Sequence, residues 1–216
     1  LDQQLTHIVG HWNYKPGTVK PIYVVSGGRK VELFVNGKSK GFGENSYRFL
    51  NTFEDIAWES GEIRAVSYNE NNEVLSEDVI KTAGEPYAVR LTKMQSPVGF
   101  KADGADLAMV EIEVVDKDGQ RCPTALNEIS FDLNGEAEWV GGIAKGPDNY
   151  VGAMTLPVEC GVNRVLIRST TNAGKIKVKA SAKGLKGTSV QFETLPVRVV
   201  KGLRTELFSE DLPSNL

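Results

Sequence analysis

Apolar and polar residues alternate along most of this chain, the period expected of β-strands with one face in a core. The pattern is cleanest in Lys30-Val31-Glu32-Leu33-Phe34-Val35-Asn36-Gly37-Lys38, where Val31, Leu33 and Val35 share a face. Asn36 and Gly37 both tolerate positive φ, so the pair predicts a type I′ hairpin turn. Residues 21–26 read as a strand closed by Gly27-Gly28, with residues 31–35 as its hairpin partner. Residues 62–68, entered through Ser60-Gly61, form a further strand; the Asn-rich turn at 69–72 then returns the chain as a strand over 74–82. Phe49, Phe53, Ile56 and Ala57 have helical spacing, but the segment is short and lies among strands, so it reads as a strand plus a connection.

Ala83-Gly84-Glu85-Pro86 interrupts the alternation, because the residue before a proline is held extended and a glycine stops the preceding element. The pattern then restarts with a strand over 88–92. Val110, Ile112 and Val114 point inward while Glu111 and Glu113 point outward, as in a half-solvated antiparallel strand. Asp116-Lys117-Asp118-Gly119 turns the chain, and Ile129, Phe131 and Leu133 line a strand ended by Asn134-Gly135. Strands at 165–167 and 176–180 flank Asn172-Ala173-Gly174; Ile176, Val178 and Ala180 face the core, and Lys177 and Lys179 face water. Val190, Phe192, Val197 and Val199 complete the second unit. The reading is all-β: two tandem immunoglobulin-like sandwiches over 1–84 and 85–202, each with about seven short strands, and a polar tail over 203–216 that is either a surface strap or disordered.

Composition narrows the partners. The net charge of −3, with Lys and Arg interspersed among acids, lacks the clustered basic face that nucleic acid requires, and it makes no polybasic membrane anchor. No apolar run approaches the roughly 20 residues of a membrane span. The chain opens on Leu1-Asp2-Gln3 with neither an initiator Met nor a signal peptide, which reads as an excised segment or a processed product. For Cys122 and Cys160 two readings stand, a single disulfide or two buried free thiols, the second preferred.

Candidate chemistry is sparse. His7 and His11 have the four-residue spacing of a helical metal pair, but on a strand such residues lie about 13 Å apart and cannot share an ion. Asp116-x-Asp118-Gly119 faintly resembles a calcium loop, yet an Asp-Gly turn accounts for the same residues. There is no nucleophile elbow and no phosphate or dinucleotide loop, and Gly41-Phe42-Gly43 belongs to a hairpin arm. Glu136 and Glu138 lie in line along one strand face, whereas glycosidic acid–base chemistry needs carboxyls opposed across a cleft. Trp12, Tyr14, Trp139 and Tyr150 are candidates for a sugar-stacking platform, with core packing as the plainer reading. No catalytic residue, cofactor or metal site is assigned.

His11-Trp12-Asn13-Tyr14, Gly17, the strands at 21–26 and 31–39, Trp58-Glu59-Ser60-Gly61-Glu62-Ile63-Arg64-Ala65-Val66 and Lys81-Thr82-Ala83-Gly84-Glu85-Pro86 resemble the domain that follows the catalytic barrel in bacterial β-galactosidase-like enzymes of glycoside hydrolase family 2. Ala102-Asp103-Gly104-Ala105-Asp106-Leu107-Ala108, Val114-Val115-Asp116-Lys117-Asp118-Gly119, Pro123, Arg168-Ser169-Thr170 and Ala173-Gly174 resemble the immunoglobulin-like domain next in line. The resemblance covers about nine-tenths of the chain. It implies an upstream (β/α)₈ barrel on the same polypeptide, whose catalytic glutamates sit at strand ends absent from this chain. It further implies a non-catalytic accessory segment that packs on the barrel, a homo-oligomer as an open alternative, and an exported, periplasmic or cell-surface location. The other functional class is an immunoglobulin-like spacer, adhesion or carbohydrate-binding module of a bacterial surface protein, since the second unit's pattern also resembles adhesin modules.

Overall fold

The computed structural model describes residues 5–145, 147–197, 199–200 and 203–204. The chain divides into two compact units, Leu1–Ala83 and Gly84–Leu216. No helix among the described residues is long and apolar enough to cross a membrane.

The first unit contains β1 (Thr6–Ile8), β2 (Val19–Ser26), β3 (Lys30–Val35), β4 (Lys38–Phe42), β5 (Glu44–Tyr47), β6 (Leu50–Ala57), β7 (Glu62–Tyr68) and β8 (Val74–Lys81). They form two four-stranded antiparallel sheets, ordered β1-β2-β6-β5 and β4-β3-β7-β8. Ile8, Trp12, Val24, Leu33, Val35, Phe53 and Ile63 are buried together as its core. Asn36 and Gly37 take φ of 49° and 76°, and Val35 pairs with Lys38 across them, the two-residue hairpin expected from Asn-Gly. The expected pairing of 21–26 with 31–35 does not form. β2 pairs with β1 and β6, while β3 pairs with β4 and β7, so the chain changes sheets at Gly27-Gly28. Alternation fixes which side of a strand is apolar but not which strand lies beside it, and both arrangements bury the same residues.

The second unit contains β9 (Ala88–Met94), β10 (Phe100–Ala102), β11 (Leu107–Val115), β12 (Glu128–Gly135), β13 (Ala137–Lys145), β14 (Asp148–Val151), β15 (Thr155–Pro157), β16 (Val162–Ser169), β17 (Lys175–Ser181) and β18 (Thr188–Pro196). Its five-stranded sheets are ordered β14-β13-β16-β11-β9 and β10-β18-β17-β12-β15, with β10 parallel to β18. Val110, Ile112, Ile129, Val165, Ile167 and Val178 are fully buried. β19 (Val199–Val200) and β20 (Leu203–Arg204) pair antiparallel, so strand pairing extends past the expected start of the tail; residues 205–216 lie outside the described residues.

The strand count exceeds the expected seven per unit because β5, β13, β14 and β15 carry weak apolar alternation. All four residues of β5 are exposed, and β13 is interrupted by a bulge at Val140 and by Gly141-Gly142. Gly141 has φ of 81°, and a Cβ there would lie 2.7 Å from the Tyr150 carbonyl oxygen, so only glycine fits the bulge.

One buried side-chain oxygen, Ser169 Oγ, has no hydrogen-bond partner among the described residues. Ser169→Ala is therefore expected to leave stability unchanged or raise it by about 1 kcal/mol, since it removes a desolvated hydroxyl. Leu33→Ala, at a position with no exposed surface, is expected to cost about 2–5 kcal/mol. Urea denaturation of both variants checks these values; a large loss for Ser169→Ala would mean that its hydroxyl is bonded.

Candidate functional site

The residues that could carry chemistry are dispersed and engaged. His7 is on the exposed side of β1 with Nδ1 3.2 Å from Asp78 Oδ2, and the Ile8 N–H donates to the same oxygen at 2.8 Å. His11 lies beyond β1; its Nδ1 accepts the Asn13 N–H and its ring stacks on Tyr14 at 4.4 Å. No cluster of three or more His, Cys, Asp or Glu fit to hold a metal occurs among the described residues.

Asp116 is a buried organiser of backbone. One carboxylate oxygen accepts the N–H groups of Asp118 (2.9 Å) and Gln120 (2.8 Å), and the other accepts that of Gly84 (2.7 Å). Burial pushes this carboxyl up, but the N–H groups of Gly84, Gln120, Asp118 and Gly119 together outweigh it and hold Asp116 below the usual carboxylate range. The Asp-Gly segment is thus a turn whose first carboxylate is already occupied by the chain itself.

Both cysteines are free thiols. Cys122 is buried; desolvation first, then the charges of Asp116 and Glu85, raise its pKa to about 11. Cys160 corrects the expectation of two buried thiols. It is exposed, at a positive-φ turn position (50°) between β15 and β16, where its side chain stands in water.

Glu136 lies in the bend between β12 and β13 and accepts the Thr170 hydroxyl at 3.1 Å. Glu138, on β13, accepts two bonds from Arg168, at 3.1 and 2.5 Å. The two carboxylates therefore have separate structural partners. Of the four candidate aromatics, Trp12 and Tyr14 belong to the first unit and Trp139 and Tyr150 to the second. Trp12 is fully buried, with Nε1 donating to the Glu59 carbonyl at 2.9 Å. Trp139 packs on Phe131 at 5.2 Å between ring centroids and donates to the Ala153 carbonyl.

Two surface features stand out. The first is the outer face of the β1-β2-β6-β5 sheet. Cross-strand partners share a face, which aligns His7, Val25, Leu50 and Tyr47 in one row and Val9, Tyr23, Thr52 and Glu44 in the next. Val9, Tyr23, Val25 and Tyr47 are 50%, 41%, 42% and 65% exposed. Outer faces of antiparallel sheets are ordinarily polar, and these exposed apolar side chains depart from that.

The second is a cleft of about 540 Å³ in the other unit, lined by Met109, Leu156, Leu166 and Tyr150 with Asn163 and Arg164. It exists because β13 pairs with β16 only as far as Gly141 and then stays with β14 alone. Sequence reasoning singled out Tyr150 but none of the other lining residues. The available signal was Gly141-Gly142, the interruption that lets the strands part.

Asp116→Asn is expected to cost about 1–3 kcal/mol at neutral pH, by weakening bonds to buried N–H groups. A carboxyl more acidic folded than unfolded contributes its full stability above its unfolded pKa, near 3.9, and loses it as pH falls through the folded value. The gap between wild type and variant should therefore hold constant above about pH 5 and close in acid. Denaturation midpoints against pH check this; a gap that persists in acid would rule out the carboxylate as its source.

Comparison with known proteins matches each unit separately. Residues 94–191 match the model of glycoside hydrolase family 2 C-terminal domain 5, and residues 10–75 match a domain of unknown function (DUF4982). The chain is 41% identical over 204 residues to a β-glucuronidase of Formosa agariphila, covering 93% of this chain and 20% of that protein. It is 33% identical over 191 residues to β-galactosidase BoGH2A of Bacteroides ovatus, covering 86% of this chain and 22% of the other. The solved structure of a β-glucuronidase from glycoside hydrolase family 2 superposes with a TM-score of 0.86 at 38% identity, over 97% of this chain and 22% of its own. The chain thus spans about a fifth of the length of these relatives.

Proposed function

We propose that this chain, which belongs to the C-terminal modules of glycoside hydrolase family 2, is a non-catalytic accessory segment that docks on a catalytic (β/α)₈ barrel of the same polypeptide. The observation that carries the reading is the exposed apolar face of the first unit, with Val9, Tyr23, Val25 and Tyr47 turned away from the core. A sheet that already buries one face gains nothing from an apolar second face unless another surface covers it. The dispersal of carboxylates supports the non-catalytic part: glycoside hydrolysis uses two acids flanking one bond, and Glu136 and Glu138 each serve a neighbouring side chain instead. The relatives' activities as β-glucuronidases and β-galactosidases support a parent reaction on O-glycosidic bonds. An exported, periplasmic or cell-surface location belongs to the same reading and rests on the family resemblance.

The purified chain is expected to leave chromogenic β-galactosides and β-glucuronides unhydrolysed above a blank preparation. Mixed with the separately purified catalytic region, it should co-elute in size-exclusion chromatography, and the double variant Tyr23→Asp, Val25→Asp should elute alone. Turnover by the isolated chain, co-elution unaffected by the double variant, or self-association through this face in place of co-elution would overturn the reading.

A further inference from the structure

The cleft of the second unit is chemically distinct from the docking face. Its volume, about 540 Å³, lies within the roughly 300–1,000 Å³ typical of small-molecule sites. Its walls are mostly apolar, with Met109, Tyr150, Leu156 and Leu166 in the lining beside the place where β13 parts from β16.

Three features narrow what it can hold. First, the parted strand edge is largely closed to an incoming peptide strand. The Arg164 N–H is taken by Asn163 Oδ1 at 2.7 Å, Asn163 Nδ2 donates to the Pro157 carbonyl at 2.6 Å, and Glu159 and Val162 exchange both backbone bonds at 3.0 Å. Strand addition needs free ladder groups, so recognition here falls to side chains. Second, both guanidinium groups beside the cleft are matched by carboxylates, and the remaining charged residue of the lining, Glu159, adds no positive charge. Arg164 gives two bonds to Glu111, at 2.9 and 2.6 Å, and Arg168 gives two to Glu138. A guanidinium already matched by a carboxylate gives no surplus positive charge to select an anion. Third, these two ion pairs flank an apolar row, Leu166-Met109-Met94, that crosses three strands of the sheet.

An uncharged ligand with one apolar face and a periphery of groups that both donate and accept matches this arrangement. Hydroxyls meet that need, since the guanidinium N–H groups of Arg164 not used by Glu111 donate to them and the second lone pair of the Asn163 amide oxygen accepts from them. We propose that the cleft binds a neutral sugar ring, its apolar face against Met109, Leu166 and Tyr150 and its hydroxyls toward Arg164 and Asn163. The proposal stands whether or not the first unit docks on a barrel.

The test is titration of the full chain with lactose, cellobiose and glucuronate, followed by calorimetry and by ¹H–¹⁵N chemical shifts. A neutral disaccharide should give a saturable, millimolar response, with shifts concentrated at Met109, Gly141, Gly142 and Leu166. Tyr150→Ala and Arg164→Ala should each weaken it about tenfold or more, while Lys179→Ala, on the opposite sheet, should not. No saturable response up to about 50 mM, shifts centred elsewhere, preference for glucuronate, or unchanged binding in both cleft variants would overturn the proposal. The shift map on unmodified protein decides the matter even if a variant fails to fold.

Discussion

A strand in a two-sheet sandwich buries every second side chain, and both units depend on that constraint being met from two directions. In the first, Ile22, Val24 and Phe53 from one sheet meet Leu33, Val35, Ile63 and Ala65 from the other. In the second, Val110, Ile112, Val165 and Ile167 are apposed to Ile129, Val178 and Phe192. Irregular segments are tied in by their own polar contacts. Trp12 is the main case in the first unit: its ring is wholly buried, its Nε1 holds Glu59, and its carbonyl accepts both the Thr82 hydroxyl and the Trp58 indole N–H. A buried indole needs such a partner, and the Trp12 carbonyl, through Thr82, joins the segment before β2 to the one after β8.

What the sequence could reveal follows from the same physics. Strands with clear alternation, such as β3, β11 and β17, were legible together with their inward faces. The turns at Asn36-Gly37 and Asp116-Gly119 were legible because their residues satisfy specific backbone needs. Strand partners were less so, as β2 and β3 demonstrate, because pairing depends on which sheet a glycine-linked chain enters. β5 and β13 escaped notice for another reason: a wholly exposed strand or a bulged one leaves no period to detect.

The surface features were harder still to foresee. The outer apolar face arises from rows on four strands brought into register, and its members are far apart in sequence. The cleft arises from a pairing that stops, which no residue type announces by itself. In both places the informative quantity is the lateral alignment of strands. Conversely, the residues with the most suggestive chemistry in the sequence, namely His7, Asp116, Glu136 and Glu138, prove to be tethered to neighbours within their own unit.

The contrast between the two cysteines has a practical consequence. With its thiol near pKa 11 and its side chain enclosed, Cys122 holds very little nucleophilic thiolate at neutral pH, whereas Cys160 is open to solvent. Of the two thiols in this chain, the solvent-exposed one therefore stands on the turn that leads into β16, close in sequence to the lining residues Val162 and Asn163. A maleimide dye attached there would report on its surroundings without any engineered handle.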